Sequence, residues 1–335
     1  MRVTNIHGPG VVRIDDQPQP ACGPTDTVVA VKACGICGSD LTYLHFGGMP
    51  VGGRCPMPLG HEPAGEVVEI GGEVRGIEPG MRVTFNPCFD EMDMIGNGGS
   101  QGALSDRVVI RDAALGHNLF PVPDEIPYEV AALTEPLSVA LHAANRSQAG
   151  PDHSVVVFGA GPIGTGIVGW LKLRGVGHVT SVDLSPARLE LASSVGADAT
   201  IVGSDDVVAR LRELHGTAHV LGAPVAATDI WIDAAGSSQV FDTIMRGART
   251  HATAVVVGVH KHPVQLDLVT LLMKELTLTA SMAYPTEFGD VAGALATHWR
   301  TFAPMVTDIL PLDRVVDALA LAGSGDVRGK VMITL

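Results

Sequence analysis

Aromatic residues are scarce in this chain, at 4% of 335 residues, and its 22 lysines and arginines face 36 aspartates and glutamates. The resulting formal charge of −14 argues against a nucleic-acid or anionic-membrane partner, because either needs a basic face. Cysteine is sparse too. Five in a chain this long is an odd count and a poor basis for a secreted disulfide framework. No apolar run reaches membrane-spanning length without a charge or a glycine. The opening MRVTNIHGPGVVRIDD has charges where the apolar core of a signal peptide would lie, so a cytoplasmic protein with reduced thiols is expected.

Glycine, by contrast, is abundant: 40 residues, beside an apolar content of 46%. That combination suits an α/β protein with many tight strand–helix turns. The length exceeds what one hydrophobic core supports, so two domains are expected. Up to about residue 135, short apolar stretches (TVVAVKA, AGEVVEI, MRVTF) are broken by Gly, Pro and Asp, which predicts a β-rich domain. Beyond it, apolar strands alternate with helical segments through SVVVF, TSVD, ATIV, DIWID, AVVVGV and LTLTASM. Six continuously apolar strands predict a doubly wound parallel sheet covered on both faces. The segment HGTAHVLGAPVAA, 215–227, reads as a surface excursion between strands. The tail from Ala283 is of mixed character again and ends in GKVMITL. The expected division is therefore 138–282 for the nucleotide domain, enclosed by a domain made of 1–137 and 283–335.

GAGPIG, containing Gly159, Gly161, Pro162, Ile163 and Gly164, follows a strand and opens a helix, the context that a dinucleotide-binding turn requires. Its first glycine permits the tight turn, its second lets the backbone approach a pyrophosphate, and its third allows close helix–strand packing. The free N–H groups at the helix start attract that pyrophosphate. Asp183, at the end of the next strand, is placed to accept both ribose hydroxyls and to repel a 2′-phosphate, which favours NAD. Arg188 nearby leaves an opening for NADP. Val259 follows the strand expected near the nicotinamide and counts as a further cofactor contact.

Two cysteines stand with two residues between them in ACGICGSD, residues 33–40. That spacing alone allows a redox disulfide, half a structural zinc knot, or one metal ligand beside a bystander. GHEPAGEVVEIGG adds His61 and Glu62, and TEPLSVALHA adds Glu135 at the domain junction. Together GICGSD, GHEPAGEVVEIGG, EPLSVALHA, GAGPIG and GKVMI run in the order found in the zinc-dependent medium-chain alcohol/polyol dehydrogenases. The chain resembles that family over essentially its whole length.

The resemblance implies a GroES-like catalytic domain and one catalytic zinc ion (Zn2+). Cys37 and His61 would be ligands, and Glu62 and Glu135 would compete for the third protein position. Thiolate, neutral imidazole and one carboxylate leave the zinc site neutral; two carboxylates would make it anionic and a poorer Lewis acid. Zinc would acidify a secondary alcohol while hydride passes to NAD, giving a ketone. Ser39 matches the family's relay hydroxyl, and Thr42 stands where many relatives continue the relay with histidine, so His45, water or a cofactor ribose could end it. Asp40 matches an acid that orients the zinc histidine, or equally a helix N-cap. Tyr43 could line the substrate pocket, or simply pack. Lys330 matches a basic family position near the cofactor or behind the zinc ligands.

The chain departs from the family pattern in two places. Only Cys88 remains where relatives hold a structural zinc with four cysteines, so no second zinc is expected. Ala283 replaces an arginine of the sugar-alcohol enzymes while Tyr284 is kept, which shifts the expected substrate toward a diol, hydroxyketone or apolar secondary alcohol. His142, His260 and His262 read as packed or solvated. The apolar edge strands predict a homodimer or homotetramer. A zinc-free NADPH-dependent enone or quinone reductase and a non-catalytic dinucleotide-binding redox sensor are the alternatives.

Overall fold

The computed structural model describes residues 1–50 and 54–335, and the chain forms two compact units: Met1–Glu135 with Phe288–Leu335, and Pro136–Glu287. These boundaries differ by a few residues from the sequence division. Residues 283–287 stay with the second unit, where the Glu287 carboxylate accepts from His142 Nδ1 at 2.8 Å. No helix among the described residues is long and apolar enough to cross a membrane.

The second unit is built on a six-stranded parallel sheet. Its strands lie in the spatial order Ala199–Val202, His178–Asp183, Ser154–Phe158, Ile230–Asp233, Thr253–Val256, Thr277–Ala280. The central strands are apolar on both faces because helices cover both, as the crossover connections of a parallel sheet require. Trp231, fully buried, stacks on Phe158 with ring centroids 6.1 Å apart. The excursion at 215–227 is an antiparallel hairpin, Thr217–Val220 with Ala223–Ala226. Its two-residue turn has positive φ at both Leu221 (51°) and Gly222 (83°), the twist-matched form for such hairpins.

Beneath this hairpin His215 is held between two threonines: Nε2 is 2.9 Å from Thr180 Oγ1 and Nδ1 is 2.8 Å from Thr228 Oγ1. Burial, and then the nearby His178, push its pKa from 6.5 down to about 4. The folded state thus refuses a proton that the unfolded chain accepts, so this group's stabilisation is complete above pH 6.5 and is lost as pH falls toward 4. The ring is partly exposed, so the loss should be about 1–2 kcal/mol. Unfolding midpoints measured across that range should fall less steeply in His215→Gln than in the parent; parallel profiles would refute the assignment.

The first unit is organised around the strand Thr27–Gly35, which pairs with Glu62–Ile70, Arg107–Ile110 and Lys330–Thr334. Val306–Pro311, Arg82–Phe85 and Leu119–Pro121 complete the seven strands, and a small sheet of Val11–Asp16, Arg2–Gly8 and Met57–Pro58 adds to the unit. Register decides which residues meet at the strand ends. Gly35 lies opposite Glu62 on one side and opposite Met332 on the other. Three distant stretches of sequence therefore come together where the strand Thr27–Gly35 ends and the Cys37 turn begins.

Candidate metal centre and dinucleotide turn

Cys37 is the N-cap of the helix Gly38–Phe46. Asp40, in that helix's first turn, accepts a hydrogen bond from the Cys37 N–H at 2.8 Å through Oδ2. Its other oxygen lies 3.3 Å from His61 Nδ1, a charge contact without hydrogen-bond alignment. Asp40 is therefore not the helix N-cap that the sequence also allowed: Cys37 holds that position, and Asp40, in the first turn, reaches back to the Cys37 N–H while facing the histidine. One donor atom each from Cys37, His61 and Glu62 lies within 4.8 Å of the others. His61 and Glu62 are buried, and Cys37 is partly exposed.

Glu62 is held on one side only. Oε1 accepts from Lys330 Nζ at 2.6 Å, and the same ammonium donates to the Ile36 carbonyl at 3.1 Å. Oε2 is buried with no hydrogen-bond partner among the described residues. A buried carboxylate oxygen left bare is costly unless a cation meets it. Gly35 gives that oxygen its room, since a β-carbon there would sit 1.9 Å from Glu62 Oε2. Thiol, imidazole and bare carboxylate form the mixed S/N/O donor set of a three-ligand zinc site with an exchangeable fourth position, so the residues fit the metal. Burial opposes a charge on His61, but Asp40 and Cys37 outweigh it and hold its pKa well above the ordinary value. Burial likewise disfavours the Lys330 ammonium, and Glu62 and Cys37 reverse that, keeping it charged at neutral pH.

The remaining sequence candidates occupy distinct places. Ser39 Oγ is 3.4 Å from His61 Nε2. Tyr43 donates through its hydroxyl to Asn97 Oδ1 at 3.0 Å, and its side chain packs against the first unit's core. Thr42 is exposed and donates to the Gly38 carbonyl at 3.2 Å, so its hydroxyl turns back on its own helix. Glu135 is buried in the first turn of the helix Thr134–Ser147, outside the close donor set yet within electrostatic reach of Lys330. The segment containing Cys88 is ordered by protein contacts: Asp93 takes the Ser100 N–H and hydroxyl, and Gly96 packs where a β-carbon would lie 1.9 Å from the Gly60 carbonyl oxygen.

In the second unit the glycine turn connects the strand Ser154–Phe158 to the helix Pro162–Leu173. Gly159 has φ +92°, and a β-carbon on Gly164 would sit 1.7 Å from the Gly159 carbonyl oxygen. Gly161 differs: nothing lies within 4 Å of its missing β-carbon, and as N-cap it provides no side-chain acceptor to the helix start. That open space over free helix N–H groups suits a phosphate. Asp183 accepts from Ala160 N at 2.7 Å and Ser185 N at 2.8 Å, which fixes both carboxylate oxygens at the strand end. Arg188 lies on the adjoining helix Pro186–Val195, and Val259 is 84% exposed in the loop after Thr253–Val256.

Comparison with known proteins gives the family of the chain. The alcohol dehydrogenase GroES-like domain family matches residues 23–124, and the zinc-binding dehydrogenase family matches residues 162–297. Sorbitol dehydrogenase of Mus musculus is 31% identical, over 98% of this chain and 94% of its own. The chain belongs to the zinc-dependent medium-chain alcohol/polyol dehydrogenases. Among solved structures, 2R,3R-butanediol dehydrogenase from Bacillus subtilis superposes with a TM-score of 0.86 at 28% identity, covering 100% of this chain and 99% of that one. A Sinorhizobium meliloti structure described as a zinc-binding dehydrogenase bound to NADP gives 0.86 at 27% identity, with 100% and 99% coverage.

For this dehydrogenase, sequence reasoning missed two features beside the predicted residues. Gly35 is needed for the approach of Glu62, a demand created by cross-strand register that no local motif announces. His260, read as solvated, instead lies with Nε2 2.7 Å from the buried Asp233 Oδ2, while Asp233 Oδ1 takes the N–H groups of Ala235 and Gly236. The Asp in DIWIDAAG, ending a parallel strand before a glycine, was the available signal.

Proposed function

We propose that this dehydrogenase reversibly oxidises a secondary alcohol to a ketone with NAD, using one zinc ion held by Cys37, His61 and Glu62. The bare, buried Glu62 Oε2 among those donors is the observation that supports it most. Zinc in this donor set supplies Lewis-acid polarisation of the substrate oxygen and lowers the pKa of its hydroxyl. The chain does the rest. Asp40 fixes the His61 ring, Lys330 anchors Glu62, and Glu135 is the accessory carboxylate. Ser39, beside His61, is the hydroxyl placed to take the proton onward.

The names of the relatives, sorbitol and butanediol dehydrogenases, support a vicinal diol, polyol or hydroxyketone substrate. Ala283, exposed and without a hydrogen-bonding side chain, supports the less hydroxylated end of that range. Reduced-cofactor formation screened over diols, polyols, 3-hydroxy amino acids and cyclic alcohols, alongside metal analysis, tests the reading. One zinc per chain with turnover is expected. Zinc without turnover on any of them would favour the sensor, and no metal with NADPH preference the reductase.

Asp183 supports NAD over NADP: each carboxylate oxygen keeps acceptor capacity beyond its single backbone bond. Asp183→Gly should lower the ratio of NAD to NADP specificity constants by tenfold to a hundredfold, roughly the worth of charge-assisted hydrogen bonds. An unchanged ratio would move the discrimination to Arg188.

The sheet edge supports a homo-oligomer. The strand Thr277–Ala280 is largely exposed, the helix Leu268–Met273 buries none of its residues, and Leu272 (73%) and Met282 (83%) are open to solvent. Light scattering should report a dimer or tetramer, and Leu272→Asp with Met282→Asp should shift it toward monomer; a monomeric parent would rule this out.

A further inference from the structure

The second unit contains a cavity of about 460 Å³ with no role in the sites above. It lies at the amino ends of neighbouring parallel strands. Ile230, Thr253 and Thr277 line it and are the first residues of their strands, and His153 lines it immediately before Ser154. The glycine turn, Asp183 and Asp233 stand at the opposite, carboxyl ends. The volume falls in the range of small-molecule sites.

Its hydrogen-bonding capacity is lopsided. Both lining carboxylates are engaged: Asp229 takes the Ser154 N–H at 2.7 Å and an Arg249 N–H, and Glu287 takes His142, Asn145 and the Thr286 N–H. The donors are not used up. Arg146 spends Nε on the Ala280 carbonyl at 3.0 Å and Nη2 on the Thr279 hydroxyl, both neutral acceptors, which leaves Nη1. Arg249 spends Nη1 on the Thr250 carbonyl and Nη2 on Asp229, which leaves Nε. His153 Nδ1 accepts from Gly150 N at 3.0 Å, so its proton resides on Nε2 as a further donor. Two guanidinium groups and an imidazole N–H with capacity to spare, beside carboxylates already hydrogen-bonded to Arg249 and His142, match an oxyanion.

We propose that this cavity binds a small organic oxyanion, a metabolite bearing carboxylate or phosphate groups, at the end of the sheet remote from the dinucleotide turn. Binding there would stabilise the second unit by mass action.

The test titrates the full-length protein with inorganic phosphate and, separately, with citrate at fixed ionic strength. Saturating NAD is present throughout, so that the pyrophosphate-binding turn is filled. Calorimetry and the unfolding midpoint are both followed. Saturable binding of either probe below about 5 mM is expected, weakened about tenfold in Arg146→Gln, the loss of one charge-assisted hydrogen bond. His153→Gln should weaken it too, and either variant suffices if the other folds poorly. Phosphate alone would point to phosphorylated ligands and citrate alone to carboxylates, each supporting the site. No saturation with either probe, or binding equal in parent and variants, would overturn the proposal.

Discussion

Cys37→Ser is expected to strip the protein of zinc and to lower turnover about a thousandfold, the scale of several kcal/mol of Lewis-acid stabilisation. Cys34→Ser should keep both. The two residues are three apart in sequence and opposite in circumstance. Cys37 begins a helix, partly exposed, with its sulfur in the same small cluster as His61 and Glu62. Cys34 is completely buried in the strand Thr27–Gly35, its thiol near the Gly35 carbonyl at 3.6 Å. Burial, and then the fields of Asp40 and Glu62, push the Cys34 pKa far up, so it stays a neutral thiol and a poor metal ligand. Metal content by atomic absorption and turnover on the best substrate measure the difference. Equal zinc loss in the two variants would overturn the ligand assignment, because then the spacing rather than the position would be what binds.

That contrast shows which parts of the molecule were legible in the sequence. The places of the glycine turn and of Asp183 were readable because strand, turn, helix and acid follow one another within about 30 residues and their positions are set by local backbone geometry. Cys37, His61 and Glu62 came forward as residue types in family order, but their geometry depends on pairing between the strands Thr27–Gly35 and Glu62–Ile70, which no short motif encodes. Gly35 is the clearest example: in ACGICGSD it looks like one more glycine in a loop, whereas it ends a strand and makes room for a carboxylate oxygen. Lys330 was noticed only as a basic position. Its partner lies 268 residues away, and the charge count made from sequence left it out. With Lys330 included, Cys37 thiolate and Glu62 carboxylate are offset by one buried cation, so a second carboxylate nearby no longer makes a zinc site anionic.

Lys330→Met should therefore have the largest effect on stability. The substitution leaves the buried Glu62 without its 2.6 Å partner, a loss of about 3–5 kcal/mol for a broken buried pair. The loss should depend on metal. In chelator-treated protein Glu62 loses the cation hydrogen-bonded to it and the full cost is expected. In zinc-loaded protein the cation held beside Glu62 takes over part of the compensation and the cost should be smaller. Urea unfolding of parent and variant, each with zinc and with chelator, gives the four values needed. Adding Glu62→Gln to Lys330→Met removes the orphaned charge, so the double variant should recover stability in chelator while failing to regain zinc. A Lys330→Met protein as stable as the parent without metal would mean that Lys330 does not hold a charged partner at this site. The carboxylate could not then be a preformed metal ligand, and the case for Cys37, His61 and Glu62 as one charged donor set would fail with it.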